Sequence, residues 1–153
     1  MKKLILIIIT ILPLFAFSQK QDTIMFDGVK KIIVKNNLSA SENYKLSGKA
    51  MLDQDYFIGA KDPEFYQLST EPIKIVGEGA YSSLYIYAVS RDGTITVTGS
   101  TKKRTTVKLI EGVDTESVAE IVPYKKSKIL SRNTYEKLIT YAKSLGGKII
   151  YSE

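Results

Sequence analysis

A chain of 153 residues with no cysteine, histidine or tryptophan must be held together by packing alone, without disulfides. The same absences exclude Ser-His-Asp and Cys-His nucleophilic sites, and zinc centres built on imidazole or thiolate. With 44% hydrophobic and 25% charged residues the composition is that of one globular domain, and the net charge of +6 falls mainly on the carboxy-terminal third, from residue 101.

The amino terminus has the three parts of a secretory signal. Met1-Lys2-Lys3 is the positive region, Leu4 to Phe17 is apolar apart from Thr10 and Pro13, and Ala16-Phe17-Ser18 sets small residues at the cleavage positions. Residues 1–18 are therefore expected to be removed before Gln19, since the apolar run is shorter than the roughly 20 residues a spanning helix needs. No cysteine follows the signal to carry a lipid, which predicts a periplasmic or secreted protein that meets the membrane only through its leader. Residues 19–30 read as a flexible segment and 31–153 as a single domain.

Lys31-Ile32-Ile33-Val34-Lys35 is a short β-branched strand, turned by Asn36-Asn37. Ser39-Ala40-Ser41-Glu42 has capping-box spacing and starts a helix to Asp53, in which Tyr44, Gly48 and Met51, with Leu52 beside them, form the apolar stripe. Gly48 predicts a close approach of that helix to a sheet. Tyr56 to Ala60 and Phe65 to Thr70 read as a hairpin around Lys61-Asp62-Pro63-Glu64. Ile73 to Val76 is a further short strand or a continuation past a bulge, and Gly77-Glu78-Gly79 is a loop.

The clearest local pattern is Leu84–Ser90, Asp92-Gly93, Thr94–Ser100. A two-residue loop sets Arg91 against Thr94, Ser90 against Ile95, Ala88 against Val97 and Ile86 against Gly99. Leu84, Ile86, Ala88, Ile95 and Val97 then share one face, and Tyr85, Tyr87, Val89, Thr96 and Thr98 the other. Lys102-Lys103-Arg104 reads as a basic loop before a strand at Thr105 to Ile110, while residues 111–128 carry no decisive pattern. Ser131 or Asn133 is expected to cap a last helix bearing Tyr135, Leu138, Ile139, Ala142 and Leu145, stopped by Gly146-Gly147 and followed by the strand Lys148–Tyr151. These elements predict an α+β fold: a two-layer sandwich with a mainly antiparallel sheet and two helices packed on one face.

The order of the helix Ser41–Asp53, the strand opening Tyr56-Phe57-Ile58, the stretch Leu68-Ser69-Thr70-Glu71-Pro72 and the pair ending Thr98-Gly99-Ser100 resembles small uncharacterised exported α+β domains of Gram-negative envelopes. It is also similar to the helix-grip modules of outer-membrane assembly lipoproteins, over roughly Lys31 to Ser100. The chain departs from the lipoproteins in lacking the lipid-bearing cysteine, and no functional residues carry over.

Candidate chemistry is sparse. Asp53, Asp55, Asp62 and Glu64 form the densest carboxylate group, suited in principle to acid–base work on a glycoside or to calcium, but placed where caps and turns need acids. Ser41 with Lys45, and Ser127-Lys128, offer hydroxyl and amine, yet these lysines lie in polar stretches that keep them solvated and protonated. No cofactor or metal is expected, and Lys102-Lys103-Arg104 lacks a nucleic-acid recognition motif. Tyr85, Tyr87, Thr96 and Thr98 remain as the candidate binding surface, able to stack on sugars or anchor a protein, or simply to pair across strands. The reading is a non-enzymatic exported envelope protein that binds a polymer or protein partner through an exposed sheet face. The alternatives are a carboxylate-dependent hydrolase of envelope glycans and a small inhibitor of an envelope enzyme.

Overall fold

The computed structural model describes residues 21–76, 81–105, 115–116 and 119–153. The expected leader, the Gly77-Glu78-Gly79 loop and positions 106–110 of the expected strand lie outside the described residues. In chain order the elements are β1 (Gln21–Asp22), β2 (Lys31–Lys35), α1 (Ala40–Leu52), β3 (Ile58–Asp62), β4 (Gln67–Thr70), β5 (Ile73–Val76), β6 (Tyr81–Arg91), β7 (Thr94–Thr105), β8 (Thr115–Glu116), β9 (Glu120–Ile121), α2 (Ile129–Ser144) and β10 (Lys148–Ser152).

The fold is α+β, built on a large antiparallel sheet in the order β1-β10-β2-β7-β6-β4-β3. β5 continues the β4 side of β6, and β8 and β9 pair with the far half of β7. The β6–β7 hairpin is its spine, in the expected register: Arg91 faces Thr94, Ala88 faces Val97 and Ile86 faces Gly99. Leu84, Ile86, Ala88, Ile95 and Val97 are all buried, as alternation along a half-buried sheet requires. Only Gly93 of the two turn residues takes positive φ (+69°). Asp92 keeps negative φ, and its Oδ1 accepts the Ala40 N–H at 2.8 Å.

That contact ties the hairpin tip to the start of α1. Ser39 is the N-cap, accepting the Glu42 N–H, while Glu42 Oε2 accepts the Ser39 N–H and hydroxyl. These two bonds from Ser39 hold the Glu42 carboxyl below the usual carboxylate range. The capping hydroxyl is thus that of Ser39, and Ser41 lies inside the helix. The buried face of α1 is Asn43, Ser47, Ala50 and Met51, whereas Leu52, expected on the stripe, is 56% exposed. Asn43 is buried with its amide fully engaged: Nδ2 donates to Leu38 O and Arg91 O, and Oδ1 accepts from Asn36.

Gly48 of α1 lies against Leu68 and Ile58, and Gly99 of β7 against Leu138 of α2 and Leu84 of β6. The helices meet where the Tyr141 hydroxyl donates to Ser47 O at 3.1 Å. α1 ends in a left-handed cap: Asp55 takes φ +57°, with Tyr56 N–H reaching Met51 O and Asp55 N–H reaching Leu52 O. Tyr56 and Phe57 therefore precede the strand expected to contain them, which starts at Ile58 and carries a register shift between Ile58 and Ala60. The β3–β4 turn sits later than expected, over Pro63–Tyr66, because the Asp62 carboxylate accepts the Glu64 and Phe65 N–H groups and Tyr66 takes φ +51°.

Three further expectations are corrected. The segment expected to be flexible contributes β1 and Val29, which is fully buried: Gly28 N–H bonds Tyr124 O, Tyr124 N–H bonds Val29 O, and the Tyr135 hydroxyl donates to Val29 O. Lys102-Lys103-Arg104 is not a loop but part of β7, which runs to Thr105. α2 starts at Ile129, ahead of both expected caps, and Lys128 at its N-cap makes no side-chain cap bond. Ser131 instead accepts the Lys125 N–H and donates to Pro123 O, and Asn133 donates to Val76 O, so tertiary partners claim both side chains. Tyr135, Leu138, Ala142 and Leu145 are buried as the spacing predicts, joined by Tyr141. At the far end Gly147 (φ +102°) passes so close to β2 that a Cβ there would collide with the Lys35 carbonyl.

Candidate functional site

The polar side of β6 and β7 is the candidate site. Since Leu84, Ile86 and Ala88 point into the core, the period of two sends Tyr85, Tyr87 and Val89 the other way. Thr96, Thr98 and Ser100 of β7 share that side, and register adds Gln67 and Ser69 of β4, opposite Val89 and Tyr87.

A groove of about 710 Å³ lies over this surface. Tyr87, Val89, Thr98 and Ser100 form part of its lining with Gln67 and Ser69. Ala60, Lys61 and Asp62 of β3 belong to the lining as well, and so do Ala119 and Ile121. Tyr87, 39% exposed, stands directly opposite Thr98, and Ser100 Oγ donates a long hydrogen bond of 3.5 Å to its hydroxyl. Ile121 is more than half exposed although it pairs with Ser100.

The four expected binding residues therefore separate. Tyr87 and Thr98 line the groove. Tyr85 is half-buried outside it, with the Lys102 ammonium 5.7 Å from its ring centroid, a cation–π distance. Thr96 pairs with Val89 and Ile33 and is not among the lining residues. Gln67, Ser69 and Ser100 were legible as hydroxyl and amide positions, but only the β4–β6 register brings the first two beside Tyr87. Ile121 belongs to the stretch of sequence without a decisive pattern.

The acidic candidates separate as well. Asp53 forms an exposed ion pair with Lys49, Asp55 holds the left-handed cap of α1, and Glu64 is an exposed turn residue. Asp62 alone of the four lines the groove, and its Oδ1 is occupied by two backbone N–H groups. Among the described residues no cluster of three carboxylates has the geometry to hold a metal ion. Lys45, Ser127 and Lys128 lie exposed. What the groove offers chemically is one aromatic ring, several hydroxyls and a carboxamide, with the Lys61 ammonium and Asp62 carboxylate from β3, which suits stacking and hydrogen bonding to an extended, hydroxyl-rich or amide-rich ligand. The chain matches no protein-family model and no curated protein.

Proposed function

We propose that this is an exported, non-enzymatic envelope protein that holds an extended polymer or protein segment on the open face of its sheet. The leader-like residues 1–18 motivate the export part of this reading. The single observation that carries the binding part is the groove over the Tyr87–Thr98 pair, where an exposed ring and hydroxyls from neighbouring strands line one surface. A cross-strand Tyr–Thr pair stabilises a sheet without any ligand. The groove lining reaches beyond that pair to β3 and Ile121, and such a concave surface favours a binding role.

Substituting Tyr85→Ser together with Tyr87→Ser is the direct test. The variant is expected to keep its circular dichroism spectrum, because neither ring belongs to the buried core, and to lose retention on isolated envelope fractions. Retention equal to that of the parent protein overturns the proposal. Among the described residues the glycan-hydrolase alternative has a single carboxylate, Asp62, in the groove lining, whereas its chemistry calls for two.

A further inference from the structure

Among the described residues, most cations of the open face lie in two bands, with Lys31 between them at the β2 margin. Register sets Lys148 beside Lys35, Lys35 beside Thr94, and Thr94 opposite Arg91. Lys148, Lys35 and Arg91 are all exposed, and among the described residues none of them forms an ion pair with a carboxylate. The second band lies at the other end of β7. There Lys102 stands opposite Ser83, and Ser83 opposite the exposed Lys74 of β5. From Thr94 to Lys102 the strand spans about 27 Å at the usual rise per residue.

Between the bands lies the groove. Its rows carry Thr96, Val89 and Gln67, then Thr98, Tyr87 and Ser69, all uncharged, with Lys31 beside Thr98 at the β2 margin. Asp62 opposite Gln67 is an acid on this side, its Oδ1 already engaged by the turn, and Lys61 next to it also lines the groove.

We infer that the open face docks an anionic polysaccharide lying lengthwise along β6 and β7, with acidic groups over the two lysine-bearing bands and uncharged sugar over the tyrosine groove. The inference rests on the proposed binding role and names its ligand class. The charge pattern selects the class. A nucleic-acid strand, charged at every residue, would hold most of its phosphates over a middle whose described cations are Lys31 and Lys61, beside Asp62. A chain of hydroxyl-rich rings with spaced carboxylates meets the bands with charge, and meets Tyr87, Thr98, Ser69 and Gln67 with ring faces and hydroxyls.

The test titrates the protein, produced from its full chain, with hyaluronate oligosaccharides of increasing length, which carry a carboxylate on every second sugar, with neutral dextran and with single-stranded oligothymidylate. The parent protein should bind long hyaluronate oligosaccharides, more weakly as salt rises. Lys35→Glu with Arg91→Glu, and separately Lys74→Glu with Lys102→Glu, should each reduce that affinity by about tenfold or more, with unchanged circular dichroism. An oligomer too short to reach both bands should respond to only one of the two variants. Dextran bound as well as hyaluronate oligosaccharides, with no effect of either charge reversal, overturns the anionic inference and leaves the groove as a binding site. The anionic inference also falls if no glycan binds while the tyrosine variant still loses envelope retention. Tighter binding of oligothymidylate than of the glycan replaces the ligand class. Absence of glycan binding together with intact retention in the tyrosine variant removes both the ligand class and the binding role.

Discussion

Gly48 and Gly99 look alike in sequence, each a glycine inside a regular element, but their surroundings demand different things. A Cβ built on Gly48 lies 3.5 Å from Leu68 Cδ1 and 3.8 Å from Ile58 Cδ1, ordinary contact distances, so the close approach expected from its sequence position leaves room for a methyl group. Gly48→Ala is expected to stabilise the protein by about 0.5–1 kcal/mol, the helix-propensity gain, read as a higher urea midpoint at unchanged m. At Gly99 the same methyl would lie 2.9 Å from Leu138 Cδ1 and 3.2 Å from Leu84 Cδ1, both on fully buried side chains. Gly99→Ala should therefore destabilise by about 1–3 kcal/mol through overpacking, in the same assay. Asp55 and Asp62 show the same dependence on surroundings. Their placement marked them for caps and turns, and the backbone geometry assigns them that work.

At the scale of elements, α1 and the β6–β7 hairpin are locked by polar contacts rather than by an apolar stripe alone. Asp92 supplies a carboxylate to the Ala40 N–H, Gly93 N–H reaches Leu38 O, and the Asn43 amide bridges to Arg91 O. Asp92→Ala should cost about 0.5–2 kcal/mol, as loss of an acceptor at a helix N-terminus does, and Asp92→Asn should recover much of it. Equal stability of the alanine variant and the parent in urea unfolding would show that the contact carries no weight. This coupling explains why Asn43, polar by composition, occupies the buried face of α1; Ser47 is buried beside it, where its carbonyl accepts from Tyr141 of α2, while Leu52 is exposed. Periodicity counts apolar residues, and a satisfied amide is invisible to it. The strands were more legible: alternation and an Asp-Gly turn determine which partner each residue meets, and the observed register follows.

The whole molecule is closed by its two ends. β10, last in the chain, lies between β1 and β2, and Tyr135 of α2 bonds the Val29 carbonyl near the start of the described chain. Tyr135 and Tyr141 are buried, and burial raises both phenol groups well above their ordinary range. A folded-state value raised above the unfolded one, about 10, gives stability that is fully present below pH 10 and lost as pH rises beyond it. Unfolding free energy should thus fall steeply above about pH 10, by up to roughly 1.4 kcal/mol per pH unit for each tyrosine. Urea titrations from neutral to strongly alkaline pH check this, and Tyr141→Phe should make the fall shallower. A flat profile would contradict the assignment of both rings to the core.

The amino-acid pattern by itself determined the α+β class, the β6–β7 register, the buried face of that hairpin and most of the core stripe of α2, because each depends on residues near one another in the chain. Only the tertiary structure decided which polar residues become core, where α2 begins, that Lys102-Lys103-Arg104 is strand, and which residues share a groove with Tyr87. Most of those outcomes depend on partners distant in the chain: Arg91 for Asn43, Val76 for Asn133, Ser69 for Tyr87. A side chain's local preference states what it can bond. The folded chain decides which partner is within reach.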